Sequence, residues 1–203
     1  MTSGTTYIVT VYETGHESGS TALPTPTLTV SGSSPPTPTL ITTNNFGSAS
    51  SSNCNSSRCY AWTWWFTATS TSSSATVTAT LTNNYNAVMD VLQLSGNAST
   101  PIVSGETNTA SASSGDATAD LAGAATSGDV ALEIIGSDSS LGSGYLGWSP
   151  SIGSSGDLFN GSSTSGSNGS AYLQVFMTSS AVQNESTTAS YSDWGTIAIE
   201  IAG

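Results

Sequence analysis

The chain has 203 residues, of which 36% are hydrophobic and 7% charged; it has one cation besides its single histidine, Arg58, and no lysine, and its 13 carboxylates give a formal charge of −12 and a pI near 4.1. Soluble domains ordinarily carry about a quarter of their residues as charges. Lysine chemistry, phosphate loops built on a lysine and an electrostatic footprint for nucleic acid are therefore excluded.

Short alternating runs separated by Ser, Gly and Asn clusters predict an all-β, antiparallel, jelly-roll-like β-sandwich of about ten strands with no significant helix. In chain order the predicted strands are Thr5–Glu13, Thr25–Ser31, Pro38–Thr43, Cys59–Ser70, Ser74–Thr82, Ala87–Ser95, Asp116–Leu121, Gly128–Gly136, Ala171–Thr178 and Gly195–Ala202. The length suits one large β domain, so residues 21–203 are expected to form a single sandwich, preceded by a strand and connector over 1–20. The prolines of Pro24–Pro38 confine that segment to a sheet edge or loop. Side chains alternate along a strand, which puts Tyr60, Trp62, Trp64, Phe66 and Ala68 on a core face and Thr63, Trp65 and Thr67 on the opposite one, where Trp65 covers a loop or meets another molecule. A hairpin is expected between this strand and Ser74–Thr82, which has Ala75, Val77, Ala79 and Leu81 on one face. Gly128–Gly136 and Ala171–Thr178 are apolar on both faces and predict central strands. Ile197, Ile199 and Ile201 predict a buried face with Glu200 opposite. Ser104–Ser114 and Gly153–Ser170 are expected to be polar surface loops.

The single tryptic site, the hydroxyl-rich bulk and the near absence of cations point to an extracellular, cell-surface protein. No apolar run approaches 18 residues, so no membrane span is predicted, and the acidity repels anionic membrane and nucleic acid alike. Met1–Thr6 lack the basic and apolar regions of a signal peptide, so the expectation is a leader removed before Met1 or another export route. Cys54 and Cys59 are read as a small-loop disulfide of an exported protein, because His16 alone cannot complete a metal set with them.

From Tyr60 to Gly203, the run Tyr-Ala-Trp-Thr-Trp-Trp-Phe-Thr-Ala, then Ala-Thr-Val-Thr-Ala-Thr-Leu, then Ala-Val-Met-Asp-Val-Leu-Gln-Leu-Ser-Gly with Pro101-Ile102, then Gly-Asp-Val-Ala-Leu-Glu and the closing Trp-Gly-Thr-Ile-Ala-Ile-Glu-Ile resembles the jelly-roll β-sandwich repeats of prokaryotic secreted surface proteins. With its composition, the chain is also similar to the thread-type pilins of archaeal extracellular filaments. That resemblance implies a heavily glycosylated subunit, polymerised with copies of itself, that lends a terminal strand to its neighbour.

Tyr7, Ile8, Val9, Val11 and Tyr12 form either the first strand of the chain's own sheet or a donor strand that completes a neighbour's sheet by β-augmentation, with Gly15–Ser20 as the connector. Head-to-tail exchange of that kind propagates into a fibre. Covalent glycan is expected at the sequons Asn55, Asn97, Asn160, Asn168 and Asn184, all placed in loops, although five is close to what chance yields in so hydroxyl-rich a chain. The competing class is a carbohydrate-binding or adhesive sandwich of a secreted surface or virion protein, with Trp65, Tyr145 and Trp148 stacking on sugar rings. No catalytic residue is assigned: no Gly-x-Ser-x-Gly elbow occurs at a strand end, and Asp90, Glu133 and Glu200 are the candidate strand carboxylates for glycoside hydrolysis, with a solvent-facing or strand-bonded role as the alternative for Asp90 and Glu200. No cofactor is expected beyond a structural calcium drawn from Asp116, Asp120, Asp129, Asp138 and Asp157, which no Asp-x-Asp-x-Asp-Gly run collects.

Overall fold

The computed structural model describes residues 1–14, 24–32, 34–46, 59–82, 86–103, 108–121, 126, 128–137, 148–149, 158–166, 169–178 and 184–203. Among them there is no helix. The strands are β1 (Thr6–Thr14), β2 (Thr27–Val30), β3 (Thr39–Phe46), β4 (Cys59–Thr67), β5 (Val77–Thr80), β6 (Asn86–Leu94), β7 (Asn108–Asp120), β8 (Val130–Ser137), β9 (Trp148–Ser149), β10 (Leu158–Gly166), β11 (Gly169–Thr178) and β12 (Asn184–Ile201). All their pairings are antiparallel. They make a sheet ordered β3-β4-β1-β6, a larger one ordered β10-β11-β8-β12-β7 with β9 beside β12, and a ribbon of β2 and β5.

The β3-β4-β1-β6 sheet is the middle layer. On one side Ile8 and Tyr12 of β1, Ala61 of β4 and Val88, Leu92 and Leu94 of β6 pack against Leu132 and Ile134 of β8 and Ile197, Ile199 and Ile201 of β12. On its other side Tyr7, Val9 and Val11 with Tyr60, Trp62, Trp64 and Phe66 pack beneath Leu28 and Val30 of β2, with Val77 and Ala79 of β5 against them. Apolar residues on both faces of β1 and β4 are what a strand needs when it is covered twice. The aromatic face of β4 is buried as the alternation predicts. The opposite face is interior as well, which corrects the outward placement of Trp65: it is half-buried against the aliphatic cluster between the sheets.

Polar side chains inside the sandwich are paired across strands. Thr10 and Thr63 face each other with their hydroxyl oxygens 3.2 Å apart, Thr6 and Thr67 do the same at 3.3 Å, and Asn44 of β3 donates to the Thr196 carbonyl at 2.8 Å, joining the two large sheets. Gly136 on β8 is required by close approach, because a Cβ there would lie 2.8 Å from Cδ2 of Tyr12.

Other expectations are corrected by the pairing. β4 and β5 do not form a hairpin; residues 68–76 carry the chain across the aromatic face, and β5 pairs with β2. Its small Val and Ala residues suit a thin cover over large rings. Asn108–Asp120, expected to be largely loop, is a strand held along β12, and Leu158–Gly166, inside another expected loop, pairs with β11. Both segments are rich in Ser, Thr, Gly and Ala, so they carry little alternation for a sequence pattern to show, while their backbones still complete ladders. The central placement predicted for the apolar strands holds: β8 lies between β11 and β12, and β11 between β10 and β8.

Candidate functional site

The segment singled out for strand exchange, β1, lies at the centre of its own chain's sheet. Each of its nine residues has a partner on both sides: Tyr7 opposes Phe66 and Gln93, Val9 opposes Trp64 and Val91, and Val11 opposes Trp62 and Met89. Tyr7, Ile8, Val9, Val11 and Tyr12 are all buried. Tyr7 stacks on Phe66 with ring centroids 5.3 Å apart. The ladder continues beyond the strand, since the Gly4 N–H donates to the Ala68 carbonyl at 2.8 Å and the Ser72 N–H to the Met1 carbonyl at 3.0 Å. Taking β1 away would leave β4 and β6 without their common partner and uncover two apolar faces.

Exposed apolar groups flank the ribbon. Leu40 on β3 and Met89 and Val91 on β6 are the large hydrophobic side chains most open to solvent among the described residues, and by register they share the aromatic face of the middle sheet. At the end of β1 and β6 lies a groove of about 520 Å³ whose lining includes Thr5, Thr67, Gln93, Asn97 and Ser99, all neutral and polar. Within it Asn97 donates through Nδ2 to Thr6 Oγ1 at 3.1 Å and to the Ala98 carbonyl at 2.8 Å. The nitrogen that would carry a sugar is thus engaged in two hydrogen bonds.

The other sequons are distributed differently from expectation. Asn160 lies within β10 and Asn184 opens β12, so neither is in a loop; Asn55 and Asn168 fall outside the described residues. Of the proposed stacking residues, Trp65 packs in the interior, Trp148 lies on the two-residue strand β9, and Tyr145 falls outside the described residues. Trp65 and Trp148 stand on strands of different sheets. Cys59 heads β4, is buried and is disulfide-bonded; Cys54, the only other cysteine of the chain, lies outside the described residues.

The acids are where sequence reasoning missed most. Glu13, Asp90, Glu133 and Glu200 are only 2%, 7%, 0% and 1% exposed, although a solvent-facing role was open for Asp90 and Glu200. Glu13 shares the face of β1 that carries Val9 and Val11 and stands opposite Tyr60, whose hydroxyl accepts from Asn45 Nδ2 at 3.0 Å. Burial pushes its carboxyl up to about 7, since a charge cannot be solvated there. Asp90 stands opposite Thr10 and accepts from the Val91 N–H at 3.0 Å. Glu200 Oε1 accepts from the Thr126 N–H. Glu133 and Glu200 lie diagonally across β8 and β12, because Glu133 opposes Ala198 and Glu200 opposes Ala131. A substrate cannot reach carboxyls sealed to this degree. Among the described residues no group of three or more His, Cys, Asp or Glu is placed to hold a metal, and no helix is long and apolar enough to cross a membrane.

One signal could have found these acids: each interrupts an apolar or alternating strand in a chain that offers almost no cation for pairing. No protein-family model, no curated protein and no solved structure matches this chain.

Proposed function

We propose that the protein is a structural, non-catalytic module of an extracellular surface assembly, built as a sandwich whose sheet is completed by its own first strand. The observation that carries this reading is the position of β1, which is paired on both sides and buried on both faces within one chain. A module closed in this way has no open sheet centre to fill, and its low content of tryptic sites suits exposure to proteases. The sealed state of Asp90, Glu133 and Glu200 supports a role without glycoside hydrolysis.

A second reading, a filament assembled head-to-tail by exchange of β1, is favoured by that one strand being shared by β4 and β6. Domain exchange preserves every contact of the closed form while moving it between copies. A cysteine pair distinguishes the two. Val9 and Val91 are opposed across β1 and β6, so Val9→Cys with Val91→Cys should oxidise within one chain and run as a monomer in denaturing gels. A ladder of cross-linked oligomers, together with fibres in electron micrographs, would establish exchange and displace the closed module.

A further inference from the structure

The two edges of the β3-β4-β1-β6 sheet are built differently. Along β3 the register shifts between Leu40 and Thr42, and an irregularity of that kind turns an edge away from further pairing. β6 runs unbroken, with all nine of its residues in register with β1. It contains no proline and no lysine, and among the described residues no strand pairs with its other side. A regular edge of this length is a template for another strand.

The direction of its backbone groups follows from the neighbouring ladder. In an antiparallel sheet the N–H and C=O of one residue point to the same side and those of the next residue to the other. The Thr5 carbonyl accepts from the Ala68 N–H at 2.9 Å, so the odd-numbered residues of β1 bond toward β4 and the even-numbered ones toward β6. Thr10 opposes Asp90; Ala87, Met89, Val91 and Gln93 therefore turn their N–H and C=O groups to the outer edge. The Val91 N–H is engaged there, donating to Oδ1 of Asp90 at 3.0 Å. Met89 and Val91 are each 38% exposed, whereas Asp90 is buried and shares the face of β6 that carries Val88, Leu92 and Leu94 toward the larger sheet.

We propose that Asp90 guards a self-association edge: its bond to the Val91 N–H keeps β6 from pairing with β6 of a second copy, and release of that bond lets the two strands join antiparallel about a two-fold axis. The strand's own pattern selects this occupant. With the axis at residue 90, Met89 of each copy opposes Val91 of the other and Ala87 opposes Gln93, so the outward backbone groups face one another and the exposed apolar side chains cover each other on both sides of the axis. An isologous contact of this kind closes at two copies. Asp90 resists it twice over. It withholds the central N–H from the new ladder, and it would bring two carboxyls directly opposite each other, an unfavourable cross-strand pair. An inward-pointing acid on an edge strand is a known means of preventing edge-to-edge pairing.

Sedimentation of the full chain over a range of concentrations tests the proposal. Asp90→Ala should double the mass of the sedimenting species relative to the unaltered protein, whose chain is 20.3 kDa. Association by exchange of β1 would be common to both proteins and would leave that ratio unaffected. Adding Val91→Pro, which deletes the outward N–H and leaves the ladder with β1 intact, should return the mass to that of the unaltered protein. An Asp90→Ala protein of unchanged mass, or a doubled mass that persists in the double variant, would overturn the proposal. Should Asp90→Ala not fold, hydrogen exchange of the unaltered protein decides: among the outward amides, Val91 should exchange more slowly than Met89 and Gln93, and equal rates would count against the guard.

Discussion

The two faces of the middle sheet solve the same burial problem with different materials. Toward the β2–β5 ribbon the face is aromatic, with Tyr60 stacked on Trp62 at 5.2 Å and Tyr7 on Phe66, and its cover is two four-residue strands. Toward the larger sheet the face is aliphatic and is matched by a full facing sheet, with threonine pairs and Asn44 set among Ile, Leu and Val side chains. A narrow cover demands large area per residue, which rings supply. A broad cover allows smaller residues but demands that the two surfaces interlock, as Gly136 and Tyr12 do. The ribbon side should therefore depend on a few large side chains, and the inter-sheet side on shape and polar pairing.

The largest effect expected is on the aromatic face. Trp62→Ala removes a fully buried ring and should destabilise by about 3–5 kcal/mol, while Ile134→Ala on the other face should cost about 2–5 kcal/mol. Denaturant midpoints at one fixed pH compare them; a larger loss for Ile134 would break the contrast. Next is the disulfide. If Cys54 is the partner of Cys59, mass spectrometry with and without reduction shows a two-hydrogen difference, and reduction should cost about 2 kcal/mol for so small a loop.

Interlocking is tested by Gly136→Ala, which forces the Tyr12 ring to move and should cost about 1–3 kcal/mol. A neutral result would show that the sheets yield easily there. Polar pairing is tested by Thr10→Val, expected to cost about 1–3 kcal/mol because the Thr63 hydroxyl loses its partner, with Thr10→Val combined with Thr63→Val recovering much of the loss. Additive losses in that double-mutant cycle would deny the pairing. Least is expected of Thr29→Ala on the exposed side of β2, within about 0.5 kcal/mol in the same unfolding assay. A larger change there would mean that the ribbon does more than cover the rings.

Much of this division was legible in the sequence. The period-two spacing of Tyr60, Trp62, Trp64 and Phe66 identified a buried face, and Ile197, Ile199 and Ile201 identified another. The candidate site was less so. Trp65 looked available for a ligand because threonines flank it, yet Thr63 and Thr67 are themselves paired with Thr10 and Thr6 inside the sandwich. Asn97 matched a sequon, but a triplet cannot report that its amide nitrogen is engaged by Thr6. The residues 108–114 looked like loop because Ser, Thr and Ala leave no hydrophobic contrast, whereas strand pairing runs through the backbone.

By itself the sequence determined that the chain is all-β, which residues share a strand face, and that its carboxylates have almost no cation to meet, because alternation and composition are local properties. Only the tertiary structure decided that β1 lies between β4 and β6, that β5 turns to β2, that β4 is covered twice, and that Glu13, Asp90, Glu133 and Glu200 are sealed. Those facts depend on which strand lies beside which and what covers each face, and side-chain period carries no information about either.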